Sequence, residues 1–249
     1  IENSGLVTPV RNSAVAASWP DGDKHFPRSD YMVHRRPGSY ASVKMISART
    51  KSAEKVNGEG LKSWFLSDGM TYIVKEGNEY YRNNVWPTLD WTRLPGTTVE
   101  QKSRTAGGYG FGSQTFVGGT HADGYGAAAM DFAATKYQRG ANDWTRSDTV
   151  ASASCLTAKK SYFFFDDEVV ALGSDINCSS ANPVETIAMQ WPLSTADAPL
   201  YVDGMAKPSS LGWNATLSNM TWAQADGLGY YFFPGGQTLQ AKRELRSGK

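Results

Sequence analysis

Hydrophobic and polar residues alternate along much of the chain with the period expected for β-strands. Alternating runs lie at residues 31–36, 40–50, 63–74 and 127–137, the third broken by the turn signal Asp68-Gly69. Side chains of a strand point alternately to its two faces, so such runs predict strands with one buried face. Residues 127–137 also fit a short helix, but a strand is favoured. Since no stretch is convincingly helical, we expect an all-β protein.

A further hairpin is predicted over residues 161–173, SYFFFDDEVVALG, with its turn at Asp166-Asp167. Cys155 and Cys178 lie about equally far from that turn, so folding there places them opposite each other. A disulfide closing a loop of this size contributes about 3 kcal/mol. The alternative is two buried free thiols.

The remaining segments are predicted from their punctuation. Residues 1–30 are polar and proline-containing and predict an irregular lead-in, while residues 85–99 hold two prolines and predict an ordered loop packed by its own tryptophans. The glycine-dense residues 106–126 predict packed turns. Many short strands joined by Gly and Pro turns indicate that residues 31–249 form one large antiparallel two-sheet sandwich.

Composition and charge exclude several functions. The chain has 25 basic and 24 acidic residues, so no overall basic surface suggests a nucleic-acid partner. No apolar run is long enough to cross a membrane. The chain begins with neither a methionine nor a signal peptide, which suggests a processed protein or a fragment. A disulfide, together with glycosylation sequons at Asn177, Asn214 and Asn219, favours a secreted protein.

A polar hinge, residues 54–60 (EKVNGEG), separates two strand-like runs. It holds Glu54, Asn57 and Glu59, two carboxylates and a carboxamide within six residues. A sugar-binding or sugar-cleaving β-protein places its polar groups in such a cluster. The alternative is a solvated turn in which Asn57-Gly58 supplies the left-handed conformation.

Five segments resemble the central β-sandwich domain of polysaccharide lyase family 8, which includes hyaluronate, chondroitin AC and xanthan lyases. They are HRRPG (34–38), NGEGLKSWFLSDGMTY (57–72), WPTLDWTRLPGTTV (86–99), FFFDDEVVALG (163–173) and GYYFFP (229–234). They occur in order and spread the resemblance over residues 31 to 243. The resemblance implies that the chain lacks the family's N-terminal α/α-toroid and stops before the sandwich is complete.

The resemblance implies a reaction and its partners. Family members cleave acidic polysaccharides, such as glycosaminoglycans or xanthan, by β-elimination and without a cofactor. The toroid supplies the Asn, His, Tyr and Arg that carry most of the chemistry, so this chain alone is expected to be inactive and to form one wall of the substrate cleft. The rival interpretations are a non-catalytic carbohydrate-binding module and a structural sandwich.

The resemblance also assigns roles within the hinge. In the family this domain contributes a Glu that orients a catalytic Arg of the toroid and an Asn that hydrogen-bonds sugar. Glu54 is the preferred Arg partner and Asn57 the preferred sugar contact, and Glu59 is the second candidate for either role. The commoner family form is N-x-E-N, whereas this chain has Gly60 at the fourth position.

Two residue pairs are further substrate-binding candidates. Arg35 and Arg36 can bind a carboxylate or sulfate bidentately, or form salt bridges at a strand end. Trp86 and Trp91 can stack on sugar rings, or pack their own loop. The three adjacent acids at 166–168 are interpreted as a solvated turn, and no metal site is expected.

Overall fold

The computed structural model describes residues 21–54, 57–75, 79–80, 84–104, 109–139, 146–149, 154–233 and 237–248. Within these ranges the regular structure is β, apart from a single 3₁₀ turn at Trp86–Thr88, and no helix there is long and apolar enough to cross a bilayer. The strands are β1 (Gly22–Phe26), β2 (Tyr31–Arg36), β3 (Ser39–Lys44), β4 (Met70–Val74), β5 (Thr98–Glu100), β6 (Phe111–Gly112), β7 (Val117–Ala122), β8 (Tyr125–Ala133), β9 (Lys136–Arg139), β10 (Arg146–Thr149), β11 (Thr157–Phe164), β12 (Val169–Asn177), β13 (Val184–Thr186), β14 (Leu200–Val202), β15 (Met205–Ala206), β16 (Asn214–Ser218), β17 (Trp222–Ala225), β18 (Leu228–Tyr231) and β19 (Thr238–Lys242).

Two four-stranded antiparallel sheets form the main sandwich. One has the order β1-β2-β3-β4 and the other β12-β11-β8-β7. Alternation along β11 buries Ala158, Lys160, Tyr162 and Phe164 on its inner face. These side chains share one core with residues of the opposite sheet, including Met32 and Val43. The all-β sandwich predicted from the sequence is therefore confirmed.

Smaller antiparallel sheets extend the sandwich. Their orders are β10-β9-β6, β13-β5, β15-β14-β17-β18 and β16-β19. A second core, of Trp64, Phe65, Met70, Val85, Leu89, Leu94 and Val99, lies under the loop at 85–97. A third core lies under β14 and β17 and contains Val202, Met220 and Ala223. The architecture is thus several antiparallel sheets built around three separate cores.

Two segments differ from the sequence prediction. Residues 22–26, predicted as irregular lead-in, form β1 and pair with β2. Their pattern misleads because the buried side chain is the charged Asp23, whose Oδ1 lies 3.0 Å from His34 Nδ1. Residues 117–122, predicted as turns, form β7. There glycine is needed for contact, since a Cβ at Gly119 would lie 2.8 Å from the His25 ring. The rest of the predicted lead-in, residues 1–20, lies outside the described residues.

The predicted hairpin is present. Antiparallel β11 and β12 pair from Phe164 with Val169 back to Thr157 with Asn177, with one irregularity near Lys159. Cys155 and Cys178, just beyond the open end, form a disulfide with their Cα atoms 5.0 Å apart. The bond therefore joins the chain entering the hairpin to the chain leaving it.

Candidate functional site

The hinge begins at a firmly held point of the backbone. Lys51 forms an isolated bridge with Phe111. The Ser52 N–H donates to the Gly110 carbonyl at 2.8 Å, and the Ser67 hydroxyl donates to the Ser52 carbonyl at 2.8 Å. Three segments distant in sequence therefore fix where the chain enters residues 54–60.

The hinge itself bends tightly and presents its polar groups to solvent. Asn57 and Gly58 have φ of 52° and 80°, so the left-handed conformation proposed for this pair is present. Glu54, Asn57 and Glu59 are all exposed. Among the described residues no hydrogen bond or ion pair involves these three side chains. They are thus free to contact another molecule or domain; residues 55 and 56 lie outside the described ranges.

The geometry at Gly60 gives a reason for the departure from the N-x-E-N form. Gly60 has a φ of 67°, and a Cβ there would lie 2.1 Å from the carbonyl oxygen of Glu54. Its own carbonyl accepts the Ser63 hydroxyl at 2.6 Å. Positive φ and a backbone clash both require glycine. The hinge of this chain is therefore closed more tightly than an asparagine would allow.

The second core connects the hinge to the two candidate tryptophans. Trp64 and Phe65 follow the hinge and are buried in that core, and Trp86 and Trp91 pack against it. The rings of Trp86 and Trp91 are 5.9 Å apart and stacked at 27°. Both side chains are half-buried. The structure thus brings the hinge and the tryptophans onto one hydrophobic base, while the stacking of sugar on these rings stays a prediction.

An ion-pair network that sequence reasoning missed holds the tryptophan loop. Arg93 Nε lies 2.8 Å from Glu185 Oε2, and Arg93 Nη1 lies 3.0 Å from Asp90 Oδ2. Burial raises the pKa of Asp90, but hydrogen bonds from Thr92 and pairing with Arg93 lower it overall. Glu185 comes from β13, far along the chain, so no local pattern could have revealed this pair.

Arg35 and Arg36 lie at the end of β2 and take part in other contacts. The Arg36 guanidinium donates to the carbonyls of Gly124 and Phe165, and its Nε lies 3.7 Å from Asp166 Oδ1. These contacts join the β7–β8 and β11–β12 hairpin tips. They correspond to the strand-end salt bridge proposed as the alternative role for Arg36. The structure shows no contact between either arginine and the described part of the hinge.

A buried charge cluster lies between the first and second cores. Lys136 Nζ lies 2.8 Å from Asp68 Oδ2, with side chains 5% and 0% exposed. The Lys160 ammonium donates to the Gly96 carbonyl at 2.5 Å, and burial lowers the pKa of Lys160 to about 8 although Asp68 opposes this. The Asp68-Gly69 pair predicts only a turn from sequence. The alternating pattern gives no sign that lysines point inwards.

One group of side chains resembles a metal site in composition. Glu100, Cys155 and Cys178 bring possible ligand atoms within 4.8 Å of one another. The two sulfurs are bonded to each other, so neither offers a thiolate. Glu100 instead accepts hydrogen bonds from Ser180 and Asn182. This group is a structural network around the disulfide.

Comparison with known proteins agrees with the fold and the motifs. The family described as "Polysaccharide lyase family 8, super-sandwich domain" matches residues 21–249. A hyaluronate lyase of Thermasporomyces composti is 36% identical over 228 residues, covering 90% of this chain and 27% of that protein. A xanthan lyase of Bacillus sp. strain GL1 is 37% identical over 244 residues, covering 95% of this chain and 24% of that protein.

Solved structures give the same result. A Paenibacillus xanthan lyase superposes with a TM-score of 0.80 at 35% identity, covering 98% of this chain and 23% of that one. A chondroitinase AC lyase superposes with a TM-score of 0.72 at 30% identity, covering 92% of this chain and 31% of that one. The chain spans about a quarter of the length of these relatives. It belongs to polysaccharide lyase family 8, of which it contains the super-sandwich domain.

Proposed function

We propose that this chain is the sandwich domain of an extracellular enzyme that cleaves an acidic polysaccharide, of the hyaluronan or chondroitin type, by β-elimination. Its relatives are named as lyases of such polymers. The observation that carries the proposal is the hinge, where three exposed polar side chains have no partner among the described residues. The disulfide between Cys155 and Cys178 supports an oxidising, extracellular location.

Electrostatics indicates what the hinge carboxylates do. β-Elimination from a uronic acid needs neutralisation of the substrate carboxylate, a base at C5 and a proton for the leaving oxygen. Glu54 and Glu59 would repel an anionic polymer if they faced it alone. A carboxylate suits this site if it holds a cation, because a bidentate carboxylate–arginine pair fixes the guanidinium plane. Glu54 is therefore assigned as the partner that orients an arginine of the toroid domain.

Asn57 takes a different role at the hinge. A carboxamide offers both a donor and an acceptor and carries no charge, so it can bind sugar hydroxyls without repelling the polymer. Its left-handed backbone is tolerated by asparagine better than by most other residues. Asn57 thus contacts substrate, whereas Glu54 acts through another residue and is a positioning residue.

The test uses the full-length enzyme and the 232 nm absorbance of its unsaturated product with hyaluronan, chondroitin sulfate and xanthan. Glu54→Gln is expected to lower kcat roughly 100-fold, the scale of a misplaced catalytic group. Asn57→Ala is expected mainly to raise KM. Glu168→Gln, which alters an exposed carboxylate at the β11–β12 turn, serves as the matched control and should keep full activity.

Two results would contradict the assignment. Full activity in Glu54→Gln with loss in Glu59→Gln would transfer the arginine-holding role to Glu59. Product formation by the 249-residue chain alone would show that this domain carries its own base, contrary to the cleft-wall role. If the full-length enzyme binds the polymers but cleaves none, a carbohydrate-binding module is the better description.

A further inference from the structure

The sheet β15-β14-β17-β18 has an outer face unlike any other surface of the described residues. Ala223 and Phe232 pack into the third core, so their sequence neighbours point away from it. The outward residues include Trp222 and Tyr231, which are 38% and 60% exposed. We call the outward side chains of this sheet the aromatic face; they are Tyr201, Trp222, Gln224, Gly229 and Tyr231, extended by Phe233.

Strand register arranges these residues as a continuous surface. Trp222 pairs directly with Tyr231 across β17 and β18. Gln224 pairs with Gly229 on one side and with Tyr201 on the other. Strand spacings place Tyr201 and Tyr231 roughly 12 Å apart. The face is therefore a flat strip with aromatic rings at both ends and an amide between them.

We propose that the aromatic face binds the acidic polysaccharide substrate outside the catalytic cleft and holds the polymer on the enzyme between cleavages. This inference rests on the proposed lyase function. Sugar rings present flat C–H faces that pack on aromatic rings, and their hydroxyls suit the Gln224 amide. Gly229 leaves open space above the strand, because a Cβ there would meet nothing within 4 Å. A pyranose ring can thus approach the backbone between the two aromatic ends.

The charges around the aromatic face suit an anionic polymer. None of its outward side chains is charged. Asp226 at the β17–β18 turn is held by the Trp191 Nε1 at 3.0 Å and by Ser194 at 2.6 Å. The exposed Lys75 ammonium lies at the same turn, 3.4 Å from the Gly227 carbonyl. A uronate next to a sugar ring stacked on the strip would meet this lysine.

The composition of the face separates it from a surface built for packing against the rest of the polypeptide. The exposed apolar residues of β12 are aliphatic, with Leu172 and Ile176 each 46% exposed. Aliphatic surfaces of this kind are typical of contacts between domains. The aromatic face instead combines rings that have polar edges with an amide and a glycine. That combination favours a hydrated ligand such as a sugar.

The test is affinity electrophoresis of the full-length enzyme in gels containing hyaluronan, chondroitin sulfate or xanthan, run beside turnover of short oligosaccharides of the same polymer. Trp222→Ala and Tyr231→Ala are each expected to weaken retention roughly five-fold, the scale of one lost aromatic contact. Turnover of oligosaccharides should stay unchanged. Trp222→Phe should restore most of the retention. Phe116→Ala, which removes a 56% exposed ring elsewhere, is the matched control.

Each outcome decides between alternatives. Unchanged retention in both alanine variants, with unchanged melting temperature, would overturn the proposal. An equal loss of retention and oligosaccharide turnover, with a lower melting temperature, would assign the face to packing against another domain and also overturn it. If no substrate is cleaved but retention still depends on Trp222, the lyase function fails while the binding face stands.

Discussion

Replacing Glu100 by glutamine tests how the disulfide loop is held. Glu100 ends β5 and is only 2% exposed. Its carboxylate accepts hydrogen bonds from side chains beside both cysteines and lies near one ammonium. These partners are Ser154, Ser180 Oγ at 2.8 Å, Asn182 Nδ2 at 2.8 Å and Lys102 Nζ at 3.3 Å. Glutamine keeps the shape but removes the charge and turns an N–H₂ group towards these donors.

The expected magnitude follows from the pKa of Glu100. Burial raises this pKa, but the hydrogen bonds from Ser154, Asn182 and Ser180 and the pairing with Lys102 outweigh burial and lower it from 4.5 to about 2. Each pKa unit corresponds to about 1.4 kcal/mol. The ionised carboxylate therefore stabilises the folded state by about 3 kcal/mol. Since the folded pKa is the lower one, this stability is present above pH 4.5 and is lost as the pH falls towards 2.

The assay is urea unfolding of wild type and Glu100→Gln at pH 7, 5, 4 and 3, with the disulfide intact. At pH 7 we expect the variant to be less stable by about 3 kcal/mol, and the difference should shrink below pH 4.5. Reduction of the disulfide by dithiothreitol at pH 8 should also be faster in the variant. Glu168→Gln, at an exposed turn, is the control for the loss of one negative charge.

Two results would refute this reasoning. Equal stability of the two proteins at pH 7 would mean that desolvation of Glu100 cancels its hydrogen bonds. A difference that persists unchanged down to pH 3 would mean that glutamine harms packing rather than electrostatics.

Three further predictions concern the hinge and the buried charges. Gly60→Asn should lower the free energy of unfolding by at least 2 kcal/mol more than Gly58→Asn, since both have positive φ but only Gly60 meets a backbone carbonyl; equal losses in urea unfolding would contradict this. Lys136→Met should cost roughly 3–5 kcal/mol by leaving Asp68 buried and unpaired, whereas the double change with Asp68→Asn should recover part of it in the same assay. Because the folded pKa of Lys160 is lowered to about 8, stability should rise between pH 8 and 10.5, and Lys160→Met should abolish that rise.

The local features of this protein could be predicted from its sequence. Alternation located β2 and β8, because a half-buried strand writes its period directly into the chain. The β11–β12 hairpin followed from two apolar runs around Asp166-Asp167, and its symmetry placed the cysteines opposite each other. The polar cluster in the hinge was visible because its three polar side chains lie within six residues.

Other features depend on contacts between distant segments, and only the tertiary structure revealed them. β1 was missed because its inward side chain is Asp23, which is buried only where β2 supplies His34. The inward lysines Lys136 and Lys160 have no local signature, since their partners come from other strands and turns. The aromatic face needed the pairing of β17 with β18, because alternation alone does not say which face of a sheet has a core beneath it. Sequence determines which residues share a face, and tertiary packing determines which face meets water.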